Sequence, residues 1–173
     1  MNNNVLSLLV KNHQGVLARI SGLLSGRGYN VESFTAGPTT GEGLTRITLV
    51  CRGDDTFIDQ VKKQLHKIID VIKVVDLTDR PTVSRELALI KVAVKPGERG
   101  ELFQIADVFG AAIKDVGIDS VILELTGDSS KIDDMVLLLD RSILELARSG
   151  LVSMERGRKN KDKNNRRMEN GNN

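Results

Sequence analysis

The chain has 173 residues, 40% hydrophobic and 28% charged, which is ordinary for a globular protein and leaves room for one domain or two small ones. No apolar run approaches the roughly 20 residues that span a bilayer, and Met1-Asn2-Asn3-Asn4 has no basic segment ahead of an apolar one, so neither a membrane span nor a secretory leader is expected. The net charge of +2 is uneven: Arg156, Arg158, Lys159, Lys161, Lys163, Arg166 and Arg167 against Asp162 and Glu169 put about +5 at the end and leave a body near −3, which argues against a nucleic-acid face on the folded part.

Val5 to Val10 is short and β-rich and reads as a strand. Val16, Leu17, Ile20, Leu23 and Leu24 then recur at helical spacing, ended by Gly26 and Gly28. Tyr29 to Ala36 is a second strand, and Gly37-Pro38 with Gly41-Glu42-Gly43 marks a turn. In the third strand Thr45, Ile47, Leu49 and Cys51 alternate with Arg46, Thr48 and Arg52. Asp54-Asp55 opens a helix whose Ile58, Val61, Leu65, Ile68 and Ile69 share one face, and Val71 to Leu77 closes the unit as a fourth strand. This β-α-β-β-α-β order predicts two helices on one face of an antiparallel sheet, with a bare opposite face that must find cover, often from another subunit.

Thr78 to Arg85 is polar, contains Pro81 and reads as a connection, with residues 80–85 as the linker proper. The order then repeats. Leu87 to Val94 is a strand, Pro96-Gly97 breaks the chain, and Leu102, Ile105, Ala106 and Phe109 stripe a helix. Ala112 to Val116 and Val121 to Leu125 are strands. Ser129-Ser130 offers a cap to a helix carrying Ile132, Met135, Val136 and Leu139. Ile143 to Ala147 is the last strand, and Arg148-Ser149-Gly150 turns out of it. The fold class is therefore α+β, two tandem ferredoxin-like βαββαβ domains, over residues 1–79 and 86–157. Residues 158–173 form a basic tail without apolar periodicity, expected to be disordered.

Little of the sequence points to catalysis. His13 and His66 have no cysteine or acidic neighbours at metal-ligand spacing, so no metal site is expected. Cys51 alternates with Ile47 and Leu49, which suits a buried thiol, and a single cysteine fits a reducing cytoplasm. Asp54-Asp55 and Asp133-Asp134 read as acidic helix starts. One segment invites a ligand. Lys11-Asn12-His13-Gln14-Gly15-Val16-Leu17 carries the chain into the first helix, whose leading N–H groups have no partner inside it and attract an anion such as a carboxylate. The plainer alternative is an ordinary turn in which Gly15 serves only its backbone angles. Asn30, in Gly28-Tyr29-Asn30, has the same plain alternative.

Asn12-His13-Gln14-Gly15-Val16-Leu17-Ala18-Arg19 resembles the opening of an ACT domain, a ferredoxin-like module that binds amino acids. Arg27-Gly28-Tyr29-Asn30-Val31-Glu32-Ser33 with Gly37-Pro38-Thr39 is more specific and resembles the small regulatory subunit family of acetolactate synthase, also called acetohydroxyacid synthase. Arg85-Glu86-Leu87-Ala88-Leu89-Ile90-Lys91-Val92, Leu146-Ala147-Arg148-Ser149-Gly150 and Arg156-Gly157 resemble that family's C-terminal domain. The resemblance covers nearly everything up to Gly157.

The resemblance implies no cofactor on this chain and a separate large catalytic subunit carrying thiamine diphosphate, magnesium and FAD, which forms acetolactate from pyruvate. It implies activation of that subunit, and feedback inhibition by a branched-chain amino acid, usually valine, otherwise leucine or isoleucine. It implies a homodimer through the ACT domains with the effector at the pairing interface. Asn12, Gly15, Val16 and Leu17 match the helix-start side of that site; Asn30 and Val31 match the side offered by the neighbouring subunit. The main alternative is an amino-acid-sensing ACT protein of another system, such as a transcriptional regulator. An RNA-binding reading needs stacking aromatics on the sheet, and aromatics are only 3% of the chain.

Overall fold

The computed structural model describes residues 2–157; the basic tail of 158–173 lies outside the described residues. The first unit runs β1 (Asn2–Lys11), α1 (Val16–Ser25), β2 (Val31–Pro38), β3 (Leu44–Gly53), α2 (Asp55–Leu65) and β4 (Val71–Asp76). Its sheet is antiparallel with order β2-β3-β1-β4, and β1 and β3 pair over their whole length from Asn2↔Gly53 to Lys11↔Leu44. The second unit runs β5 (Thr82–Ala93), α3 (Arg99–Phe109), β6 (Ala112–Val116), β7 (Ser120–Gly127), α4 (Ser129–Leu139) and β8 (Ile143–Arg148), in the matching order β6-β7-β5-β8. Both are βαββαβ units of an α+β fold, as the alternation of strand and helix periods requires.

Helix α1 forms where Val16, Ile20 and Leu24 stand four apart, so one stripe faces the sheet and all three are buried. Helix α2 begins where Asp54 accepts a hydrogen bond from Phe57 N–H (2.8 Å), and buries Ile58, Val61 and Leu65. These stripes meet Leu6, Leu8, Val10, Ile47, Leu49 and Cys51 from the sheet. A second core, built from Ala88, Ile90, Val92, Leu102, Ala106, Val121, Leu123, Leu125, Ile132, Met135 and Leu139, fills the second unit.

Several local expectations need correction. Helix α2 stops at Leu65, so Ile69 falls in the following turn and is 88% exposed instead of sharing the buried face. Gly37-Pro38 is not a turn but the end of edge strand β2, paired with Arg46 and Thr45, where proline needs no ladder partner on its outer side. Asp128, not Ser129 or Ser130, caps α4 through Lys131 N–H (3.0 Å), and this places Asp133-Asp134 in the second turn and not at the helix start. The second-unit strand begins at Thr82, inside the expected connection, because Thr82–Arg85 pairs with an additional strand, β9 (Val152–Glu155).

That short ribbon changes the fate of the first sheet's outer face. Ser7, Thr48 and Val50 point away from the helices yet are at most 7% exposed. β9 and the turn before it lie against this face, with hydrogen bonds to Ser33 and Thr35. Cover comes from the same chain where another subunit was the expectation. No helix among the described residues is long and apolar enough to cross a membrane.

Candidate functional site: a helix start and an edge strand

The segment from β1 to α1 is held by its own backbone and its neighbours. Lys11 N–H donates to the Asp70 carbonyl (2.9 Å), Asn12 N–H to the Gly43 carbonyl (2.7 Å), and His13 N–H to the Lys11 carbonyl (2.9 Å). Gly15 sits at the helix N-cap with φ 81 and ψ 0, a left-handed conformation that favours glycine. It therefore supplies the backbone angle of the plain alternative. It also leaves space: a Cβ on Gly15 would meet nothing within 4 Å. No side chain caps α1 and no acidic residue stands in its first turn, so the positive end of the helix dipole is uncompensated.

The four helix-start residues differ in what they present. Asn12 and Gly15 are exposed. Val16 is a core residue, 2% exposed, and its N–H donates to the His13 carbonyl (3.2 Å), so its side chain packs inward. Leu17 is 42% exposed and is the apolar side chain that faces outward beside the loop.

The loop rests on a residue that sequence reading missed. Asp70, just before β4, is 4% exposed. His13 Nδ1 donates to its Oδ1 (2.8 Å) and Arg19 donates to its other oxygen. One buried carboxylate thus ties the loop and the first turn of α1 to the far edge of the sheet, and hydrogen bonds from His13 and the Arg19 guanidinium offset the cost of burying it. The only sequence signal was a lone acid in the apolar run Ile69-Asp70-Val71; its partner His13 is 57 residues away. Among the described residues no group of His, Cys, Asp and Glu could hold a metal ion.

Asn30 and Val31 lie at the other end of α1. They line an open groove of about 370 Å³ with Ser21, Leu24, Ser25, Tyr29 and Phe34. Tyr29 is fixed there by an edge-on contact with Phe57, ring centroids 4.9 Å apart. The Asn30 carbonyl accepts from Arg52 N–H (3.2 Å), which leaves its side-chain amide as the group on offer. Ten residues of α1, about 15 Å at 1.5 Å per residue, separate this groove from Gly15, so one chain alone does not bring the two groups together.

Burial pushes the Cys51 thiol up to about 11, which suits a structural side chain and not a nucleophile.

Comparison with known proteins agrees with this architecture. Residues 6–73 match the family model described as an AHAS small subunit-like ACT domain, and residues 85–157 match that of the small subunit of acetolactate synthase. The acetolactate synthase small subunit of Aquifex aeolicus is 45% identical over 155 residues, covering 88% of this chain and 81% of its own. That of Haemophilus influenzae is 40% identical over 158 residues, covering 90% and 97%. The crystal structure of the Thermotoga maritima small subunit superposes with a TM-score of 0.85 at 36% identity, over 92% of this chain and 100% of that one. With relatives this similar along almost their whole length, the chain belongs to the family of acetolactate synthase small subunits.

Proposed function

We propose that this chain activates a thiamine-diphosphate-, magnesium- and FAD-dependent large subunit in the cytoplasm and makes it sensitive to a branched-chain amino acid, valine before leucine or isoleucine. Residues 1–79 act as the effector-binding and dimerising ACT domain, 86–157 as the second domain, with 80–85 between them. The observation that carries the reading is the start of α1: left-handed at Gly15, without a side-chain cap, without an acidic residue in its first turn and open around Gly15. A carboxylate placed there meets the helix dipole and unpaired N–H groups. Strand β2 is an edge of its sheet, so two copies can pair along it and set the Asn30 and Val31 of one beside the Gly15 of the other. The Asn30 side-chain oxygen then accepts from the ligand ammonium, while Leu17 and Val31 flank its aliphatic part.

A mixing experiment tests this. Purified chain is combined with the large subunit from the same organism, and acetolactate formation is measured with each branched-chain amino acid. Stimulation by the chain, and inhibition only when the chain is present, are expected. A chain that binds valine and leaves the large subunit unaffected would instead favour a sensor of another system. Asn30→Ala should weaken effector binding by about 1 to 3 kcal/mol in a dry site.

A further inference from the structure

The motif Leu146-Ala147-Arg148-Ser149-Gly150 lies apart from the candidate effector residues, yet its turn is hydrogen-bonded to the first unit. Leu151 N–H donates to Ser33 Oγ (3.1 Å), and Thr35 Oγ1 donates to the Ser149 carbonyl (3.2 Å). Between them Gly150 has φ 78, and a Cβ there would stand 2.5 Å from Ser33 Oγ and 2.6 Å from Thr35 Oγ1. A side chain there would be strained by the backbone angle and would have to displace the two hydroxyls.

On its own side the turn is firmly fastened. Ser149 N–H donates to the Leu87 carbonyl (2.9 Å) and Ser149 Oγ accepts from Leu87 N–H (3.0 Å). Arg148 grips the buried carboxylate of Glu86 with two nitrogens, Nε at 2.7 Å and Nη2 at 2.8 Å, and reaches Asp133 with Nη1 at 2.6 Å. Ser129 Oγ donates to the same Glu86 (3.0 Å), so β5, α4 and β8 all meet at the base of the turn. A displacement of the turn must therefore carry the second unit with it.

On the other side the contact falls on β2, the strand whose first residues line the candidate effector groove. Ser33 is three residues beyond Asn30, about 10 Å along an extended chain. The pairing of β2 with β3 changes register between Val31 and Ser33. A bulge here lets the start of the strand shift against its continuation without breaking the ladder beyond it. The cavity beside the turn, about 480 Å³, leaves room for such a shift. Its charges are already paired, Glu32 with Arg52 and both Glu86 and Asp133 with Arg148, so it makes a poor ion site.

We propose that the Ser149-Gly150-Leu151 turn, seated on Ser33 and Thr35, is the contact through which effector occupancy at Asn30 and Val31 reaches the second unit. Ser33, Thr35 and Gly150 are positioning residues: they touch no ligand, and they set how far binding on β2 is felt across the unit boundary. The proposal rests on the effector reading above.

The test uses the full chain with and without the large subunit, valine as the probe, and two variants. Ser33→Ala with Thr35→Val removes both hydroxyls and little bulk; Gly150→Ala forces the turn off its seat. In the wild-type chain, valine should slow amide exchange in residues 29–35 and also in 146–153. In the double variant the dissociation constant should stay within about threefold by calorimetry, with protection confined to 29–35. Inhibition of the reconstituted enzyme at saturating valine should then be largely lost while activation persists. If Gly150→Ala does not fold, the double variant decides alone. A double variant that is inhibited as strongly as wild type overturns the proposal, and so does one whose valine affinity falls more than about tenfold, because the hydroxyls would then belong to the binding site. A wild-type chain that binds no branched-chain amino acid overturns the effector reading itself and this proposal with it, a result seen before any variant is made.

Discussion

The two units share one strand order, but their first helices begin in opposite chemical settings. Before α1 the chain arrives through Gly15, left-handed and open, with no acid in the first turn. Before α3 it passes through the 3-10 turn Pro96–Glu98, Glu101 stands in the first turn, and Arg99 is held by the carbonyls of Gly117 (2.5 Å) and Ile118 (2.9 Å). Glu98 and Glu101 compensate the helix dipole internally and repel an anion, whereas no acidic residue stands in the first turn of α1. The edge strands differ too. β2 is partly buried, Val31 and Phe34 against its own core and Ser33 and Thr35 against the turn of the second unit, while every residue of β6 is exposed. Topology is shared, and what each unit can bind is decided in its loops.

The sharpest way to break this contrast is a charge at each helix start. Gly15→Asp should abolish valine binding in calorimetry, a loss of about a hundredfold or more, because like charges at contact distance repel and the side chain occupies the ligand's place. Gly97→Asp, at a glycine with free space around it, should leave valine binding unchanged. Equal effects from the two variants would show that the helix starts are not functionally distinct.

A second contrast lies in the buried acids. Glu86→Ala strips Arg148 and Ser129 of their partner and should cost about 2 to 3 kcal/mol in urea unfolding, the usual cost of breaking a buried pair discounted for the partly exposed arginine. Asp70→Ala should cost less, about 1 to 2 kcal/mol, because His13 and Arg19 are more than half exposed and regain water. An Asp70→Ala loss exceeding that of Glu86→Ala would mean that the loop clamp, not the inter-unit base, is the stronger fastening.

The pH dependence follows from the same pair. Hydrogen bonds from Arg148 hold the Glu86 carboxyl below its ordinary value of 4.5, against the opposing effect of burial. A depressed carboxylate stabilises the fold fully above its unfolded value and progressively less as pH falls through the folded one. The stability gap between wild type and Glu86→Gln should therefore be constant from pH 7 to about 5.5 and narrow below pH 4.5. A gap that widens in acid would contradict this sign.

The smallest effect concerns Cys51. Buried in the first core with its thiol pushed up to about 11, it should resist iodoacetamide at pH 8 in the native chain and react once urea unfolds the first unit. Labelling at the rate of a free thiol would show that this unit opens readily in the native state.

Most of the fold was legible because periodicity is a local signal. Ile20 and Leu24, or Ile58, Val61 and Leu65, announce a buried helix stripe from spacing alone, and Ile47, Leu49 and Cys51 announce a strand. Gly15 and Asn30 were singled out by resemblance alone, and the structure adds the left-handed angle at one and the groove at the other. Strand β9 was not legible: Val152–Glu155 has four residues, too few to show a period, and it is a strand because Thr82–Arg85 lies beside it.

The sequence by itself determined the repeated βαββαβ order and the central members of each helix stripe, such as Ile20 and Leu24 or Ile58, Val61 and Leu65, because each depends on neighbours within a few residues. Only the tertiary structure decided that Asp70 closes on His13 and Arg19, that Glu86 closes on Arg148, and that Gly150 closes on Ser33 and Thr35. These contacts join residues 51 to 117 positions apart, and polar side chains leave no periodic trace when their partners are brought in by the packing of strands that are distant in sequence.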